Sequence, residues 1–146
     1  MATKADFYNS HAYVNLGNCH HAKGELEEAK RCYSEAVGID SSCVEAIYNL
    51  AIVNQTMKFY EDALEWFHKV HTLLPNHPHV TFQLGRTHEF LGELDVATEW
   101  YLKSLALAPS DSGILKRLGQ LADVQGDTQQ AYQHFYDVCK TMQINC

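Results

Sequence analysis

The chain has 146 residues, 46% of them apolar and 20% charged, with a formal net charge of −7. That length suits one ordinary domain, and the acidic balance argues against a nucleic-acid partner, whose phosphates reward a basic protein. No apolar run approaches the ~18 residues of a membrane span, so no membrane insertion is expected.

The start, MATKADFYNS, lacks the apolar core of a secretory signal and reads as a short leader over residues 1–9. In residues 10–43, Tyr13, Leu16, Gly17 and His20 recur at helical spacing and predict one helix. Gly24 turns the chain, and Leu26, Ala29, Tyr33 and Ala36 predict a second helix. Asp40, Ser41 and Ser42 close the segment as turn and cap formers. Residues 44–77 repeat the plan with Ala51 for the first glycine and Lys58 for the turn glycine. In residues 78–111 the spacing predicts helices over Val80 to Leu91 and Leu94 to Leu107. Gly92 between them suits a left-handed helix end, and Pro109 stops the second helix. Residues 112–145 carry Leu115, Leu118, Gly119, Gly126, Ala131, Phe135 and Val138, with Asp127 as a helix cap. All three prolines, Pro75, Pro78 and Pro109, fall between segments, which supports the register.

The segments share a step of 34 residues. It links Leu16, Leu50, Leu84 and Leu118, and likewise Gly17, Ala51, Gly85 and Gly119. It also links Ala29, Ala63, Ala97 and Ala131, and the aromatics Tyr33, Phe67, Tyr101 and Phe135. Small residues at two of these positions let helices cross closely, while leucine and the aromatic fill the space beside them. A period of this length with this pattern is the tetratricopeptide signature. The expected fold is therefore all-α: a right-handed superhelix of antiparallel helix pairs A and B, four repeats and about eight helices. The repeats form one array over 10–146. Phe135, Val138, Cys139 and Met142 continue one helix face, and no polar capping helix follows in the sequence. Terminal repeats usually need a polar outer face, so the array is expected to be part of a longer one and, on its own, to self-associate or be poorly stable through this end.

Two stretches are more specific. Asp40-Ser41-Ser42-Cys43, followed by Glu45-Ala46-Ile47-Tyr48-Asn49-Leu50, resembles the intraflagellar-transport B-particle subunit family known as polaris. The same family is similar to Leu115-Lys116-Arg117-Leu118-Gly119-Gln120-Leu121 with Gly126-Asp127 and Gln130-Ala131, and to Asn15-Leu16-Gly17-Asn18. The resemblance covers nearly the whole chain from about Tyr13 but only part of that family's longer array. It implies a scaffold for cilium or flagellum assembly, located in the cytoplasm, the cilium or flagellum and the basal body. Its implied partners are other B-particle subunits.

Catalytic and metal chemistry find little support. Nine histidines include the pairs His20-His21, His68 with His71, and His77 with His79. His68 and His71 share one helix face, but no cysteine lies near either, and zinc sites usually show four ligands in two tight pairs. His20 and His88 share one repeat position and read as packing residues. The five cysteines, Cys19, Cys32, Cys43, Cys139 and Cys146, are irregularly spaced with no C-x-x-C pair, which fits a reduced cytosolic protein. Cys32 shares its repeat position with Trp66, Trp100 and His134, which reads as a surface or packing site. No base, orienting group and polar hole surround any nucleophile. The expectation is a non-enzyme without metal or cofactor.

The concave face that helices A present is the candidate partner surface. Its residues are Asn18, Tyr48, Asn49, Phe82, Gln83, Arg86, Lys116, Arg117 and Gln120. Arg86, Lys116 and Arg117 gather in its second half although the chain is acidic. Together with Phe82 as an aromatic anchor they suit an acidic peptide segment. The alternative is a co-chaperone-like adaptor of the cytosol that clamps a C-terminal carboxylate. In families with that clamp, Lys and Asn on one helix A are followed by Asn on the next, then Lys and Arg. Asn18 and Asn49 match, but Val14 and His79 stand at the lysine positions and Gln83 at the arginine position.

Overall fold

The computed structural model describes residues 4–125, with side chains over 9–124. Seven α-helices and no strand occur among the described residues. The chain divides into two compact units, residues 1–73 and 74–146.

The first unit holds α1 (Lys4–Ala22), α2 (Leu26–Ile39), α3 (Val44–Thr56) and α4 (Tyr60–Leu73). Helices α1 and α2 pack as one pair, α3 and α4 as the next, and α2 meets α3 between them. Helix α1 starts at Lys4, inside the segment expected as a leader. The second unit holds α5 (Pro78–Phe90), α6 (Leu94–Leu107) and α7 (Ser112–Gln125). Here α5 and α6 form the pair and α7 packs on α6. The B helix expected for the fourth repeat, with Asp127, Ala131, Phe135, Val138 and Met142, lies outside the described residues.

Helices α1, α3 and α5 end in the same turn. Glu25 N–H donates to the His20 carbonyl and Gly24 N–H to that of His21. Phe59 and Lys58 do the same to Asn54 and Gln55, and Glu93 and Gly92 to His88 and Glu89. This double bond pattern needs a left-handed residue at its centre. Gly24 (φ 78°) and Gly92 (φ 80°) supply it freely, whereas Lys58 (φ 69°) adopts it with a side chain attached. Two of the loops between pairs, after α2 and after α6, use short acids. The Asp40 carboxylate accepts from the Ser42 N–H and hydroxyl, and that of Asp111 accepts from Gly113 N–H at the start of α7.

The ladders define the core. Ala29, Tyr33 and Ala36 of α2 share one cluster with Ala46, Leu50 and Val53 of α3. Ala97, Tyr101 and Leu105 of α6 share another with Ile114, Leu118 and Leu121 of α7. The helix crossings explain the small positions. A methyl group on Gly17 would sit 2.6 Å from the Tyr33 ring, and one on Gly85 would sit 2.8 Å from the Tyr101 ring. In the second repeat Ala51 and Phe67 fill these positions, and both are fully buried.

Candidate functional site

The expected partner-facing residues fall into two sets, one in each unit. In the first unit, the Asn18 side-chain oxygen accepts from the Tyr33 hydroxyl at 2.5 Å and from the Asn49 amide at 3.3 Å. The cluster is neutral. Tyr33 is buried, and burial pushes its phenol up to about 12. Tyr48 sits beside it on α3. Its ring meets Phe67 edge-on, with centroids 5.9 Å apart and planes at 68°. Tyr48 is half-buried, so the aromatic expected to face water is largely a packing residue of its own helix pair.

In the second unit the same repeat position holds Phe82, whose ring packs on Tyr101 at 5.3 Å. Phe82 is also half-buried, but it borders a cleft of about 200 Å³ between the starts of α5 and α7. Pro78, His79, Asp111, Gly113 and Ile114 complete its lining. Gln83 is half-buried beside Phe82. Arg86 lies one helical turn further along α5, exposed, with its guanidinium 5.4 Å from the centre of the Phe90 ring. Lys116 and Gln120 are exposed on α7. Neither Arg86 nor Lys116 is ion-paired among the described residues.

Arg117 behaves differently from the other two cations. Its guanidinium donates to Glu89 at 2.5 Å and to Gln120 at 3.1 Å. The other Glu89 oxygen accepts from the Tyr101 hydroxyl at 2.6 Å. Burial pushes the Tyr101 phenol well above its usual value, and the hydrogen bond to Glu89 adds to this. For Arg117 burial works against the charge, but the Glu89 carboxylate and the Tyr101 hydroxyl outweigh it, and the guanidinium ends above its usual value. Arg117 was expected as a charge partner for an incoming segment. Its charge is already met inside the unit, so it ties α7 to α5.

Glu89 is the residue that sequence reasoning missed. The available signal was its place four residues after Gly85, one turn along the helix face that the Tyr101 ring crosses. Its partner Arg117 is 28 residues away and follows from no local spacing. A second missed feature is the repeated pair at the helix A turn: His20 Nδ1 to Glu25 at 2.7 Å and His88 Nδ1 to Glu93 at 3.7 Å. His20 is thus held by its turn acid as well as by packing, whereas His88 Nδ1 is buried and makes no hydrogen bond among the described residues. Cys32 is fully buried, which pushes its thiol up, whereas Cys19 is exposed. Trp66 and Trp100 are half-buried and each carries a lysine over its ring, Lys69 at 4.9 Å and Lys103 at 4.5 Å. No group of three or more His, Cys, Asp or Glu side chains converges among the described residues.

Comparison with known proteins agrees with the ladders. Two tetratricopeptide repeat profiles match the chain, one over residues 10–43 and one over 43–110. Among solved structures, MamA 41-end from Desulfovibrio magneticus RS-1 superposes with a TM-score of 0.80 at 19% identity, over 92% of this chain and 76% of that one. The first repeat domain of Spaghetti (RPAP3) bound to HSP90 peptide SRMEEVD gives 0.77 at 18% identity, over 82% and 94%. The second repeat domain of human RPAP3 in complex with HSP70 peptide SGPTIEEVD gives 0.70 at 22% identity, over 77% and 97%. The profile matches together span residues 10–110, well over half of the chain, and the chain belongs to the tetratricopeptide-repeat family.

Proposed function

We propose that this protein is a non-enzymatic scaffold that binds a segment of another protein through the α5/α7 face of its second unit. The observation that carries the reading is the Phe82 cleft with two exposed cations, Arg86 and Lys116, on the same two helices, neither ion-paired among the described residues. A rigid aromatic beside forked or point cations suits an extended or helical acidic segment. Arg117 holds the two helices in register through Glu89 and leaves charge recognition to the other two.

The biological setting we propose is the intraflagellar-transport B particle, in the cytoplasm, the cilium or flagellum and the basal body. Support comes from the sequence around Asp40-Ser41-Ser42-Cys43 and from Leu115 to Leu121. Cross-linking and affinity capture of this protein from ciliated cells should recover other B-particle subunits. Recovery of chaperones alone would refute that setting. Within it, Phe82→Ala and Lys116→Glu should weaken particle entry while helical content is retained.

One observation favours a second reading. Asn18 and Asn49, two positions of a carboxylate clamp, are adjacent, and related folds are known with acidic chaperone-tail peptides. Against it, Val14 is fully buried where the clamp needs a lysine. Titration with the peptide SRMEEVD separates the two: the scaffold reading expects no saturable binding, and the clamp reading expects binding that Asn49→Ala removes.

A further inference from the structure

The Phe82 cleft opens where the repeat has lost a side chain. One position near the start of each helix A steps by 34 residues through His11, Glu45, His79 and Gly113. Only the fourth carries no side chain. Gly113 lines the cleft of about 200 Å³, together with the apolar Pro78, Phe82 and Ile114. Packing does not demand a glycine there. An added methyl group would meet only a carboxylate oxygen of Asp111, at 3.1 Å, whereas one on Gly85 would strike the Tyr101 ring. Nor is Gly113 left-handed, unlike Gly92. A glycine inside a helix is otherwise disfavoured, so what it contributes at this position is space.

We infer that Gly113 makes a seat for one apolar side chain of an extended partner segment, with a carboxylate two residues from it. The inference rests on the reading above, that this face binds an acidic segment, and adds what the segment must carry. The spacing follows from the cations. Lys116 lies three residues past Gly113 and Arg86 four past Phe82, which is about 4.5–6 Å along the helices. An extended chain advances about 6.6 Å in two residues, and residues two apart point to the same side. At the other end of the cleft stands the Asp111 carboxylate, which accepts from the Gly113 and Ile114 amides that open α7. The acid of the partner is therefore attracted at the Arg86 and Lys116 end and repelled at the Asp111 end. A helical partner would anchor through several side chains at i, i+3, i+4 and i+7. One seat beside two cations fits an extended segment instead.

Labelled, end-capped glycine-serine peptides carrying Leu-Ser-Glu or Glu-Ser-Leu cover both chain directions and are titrated with the full chain by anisotropy. At least one should bind saturably and more weakly as salt rises. Replacing its leucine by alanine should cost about tenfold, since a leucine largely removed from water is lost. Moving its glutamate next to the leucine should weaken binding several-fold. Gly113→His restores the side chain of the first and third repeats. It should erase the preference for leucine over alanine while helical circular dichroism and salt dependence persist. Gly113→Gln replaces it if helical signal is lost. Gly113→Ala, which fills little of the cleft, should keep part of the preference. Salt-dependent binding that is indifferent to leucine, to the spacing or to Gly113→His overturns the inference and leaves the acidic-segment reading standing. Loss of the preference in Gly113→Ala as complete as in Gly113→His also overturns it. Absence of salt-dependent binding by either peptide refutes both.

Discussion

The first and third helix pairs start from the same crossing and end in different chemistry. In both, a tyrosine from helix B packs on a glycine of helix A, Tyr33 on Gly17 and Tyr101 on Gly85. In the first unit the hydroxyl donates to a neutral asparagine, Asn18, which is also bonded to Asn49. In the second it donates to Glu89, whose second oxygen holds Arg117 of α7. The repeat thus dictates where the ring lies, while the residue beyond the ring decides what the unit is tied with. A charge-assisted tie is stronger than a neutral one and costs more to break, because each partner is left desolvated.

That contrast can be broken most sharply at Glu89. Glu89→Ala strands the Tyr101 hydroxyl and an Arg117 that is only one-third exposed. We expect a loss of roughly 2–3 kcal/mol in denaturant unfolding, below the ~3–5 kcal/mol of a fully buried broken pair because both groups keep some solvent. Asn18→Ala, which strands only neutral partners, should cost about 1 kcal/mol. Equal losses would show that the two ties are equivalent.

The crossing itself comes next. Alanine in place of a helical glycine gains about 1 kcal/mol of helix propensity. At Gly85 the new methyl group would meet the Tyr101 ring at 2.8 Å and the Ala97 carbonyl at 3.2 Å. Overpacking of this kind costs about 1–3 kcal/mol, so Gly85→Ala should destabilise by roughly 1 kcal/mol net. Ala51 with Phe67 shows that a methyl group is accommodated where the ring has no hydroxyl to anchor it. In the double variant Gly85→Ala, Tyr101→Phe the two costs should therefore sum to less than their separate values.

A smaller effect belongs to the second repeat's turn. Lys58 holds φ 69° where its counterparts are glycine. Lys58→Gly should raise stability by about 1 kcal/mol, the penalty for a side chain in left-handed backbone. A destabilised variant would mean that the lysine side chain contributes more than its backbone strain costs. A further effect appears only in alkali. The Tyr33 phenol is raised to about 12 from an ordinary value of 10. The folded state therefore keeps this proton longer than the unfolded chain, and stability falls as pH rises from about 10 through 12. Tyr33→Phe should flatten that part of the unfolding profile.

Much of the fold was legible because it rests on short-range periodicity. Helix α6 runs Leu94–Leu107 as the spacing predicts, and Gly92 takes the left-handed turn assigned to it. Helix α5 starts two residues early, since Pro78 can occupy the first turn, where no amide donor is required. The candidate site was less legible. Phe82, Arg86 and Lys116 could be placed on helices A by counting. The inward turn of Arg117 could not, because it depends on a carboxylate of α5 that lies 28 residues away. Leu16 shows the same limit from the other side. Its ladder position marks it as core, yet it is exposed because no helix precedes α1 in the described residues.

Binding of fluorescently labelled acidic segments from B-particle subunits, followed by anisotropy at two ionic strengths, tests the central claim most directly. The account expects saturable binding that weakens as salt rises, since Arg86 and Lys116 are exposed and screened. Lys116→Glu should remove most of that salt dependence, and Phe82→Ala should weaken binding at both ionic strengths with the salt dependence retained. Binding unchanged in both folded variants would contradict the claim that this face takes the partner.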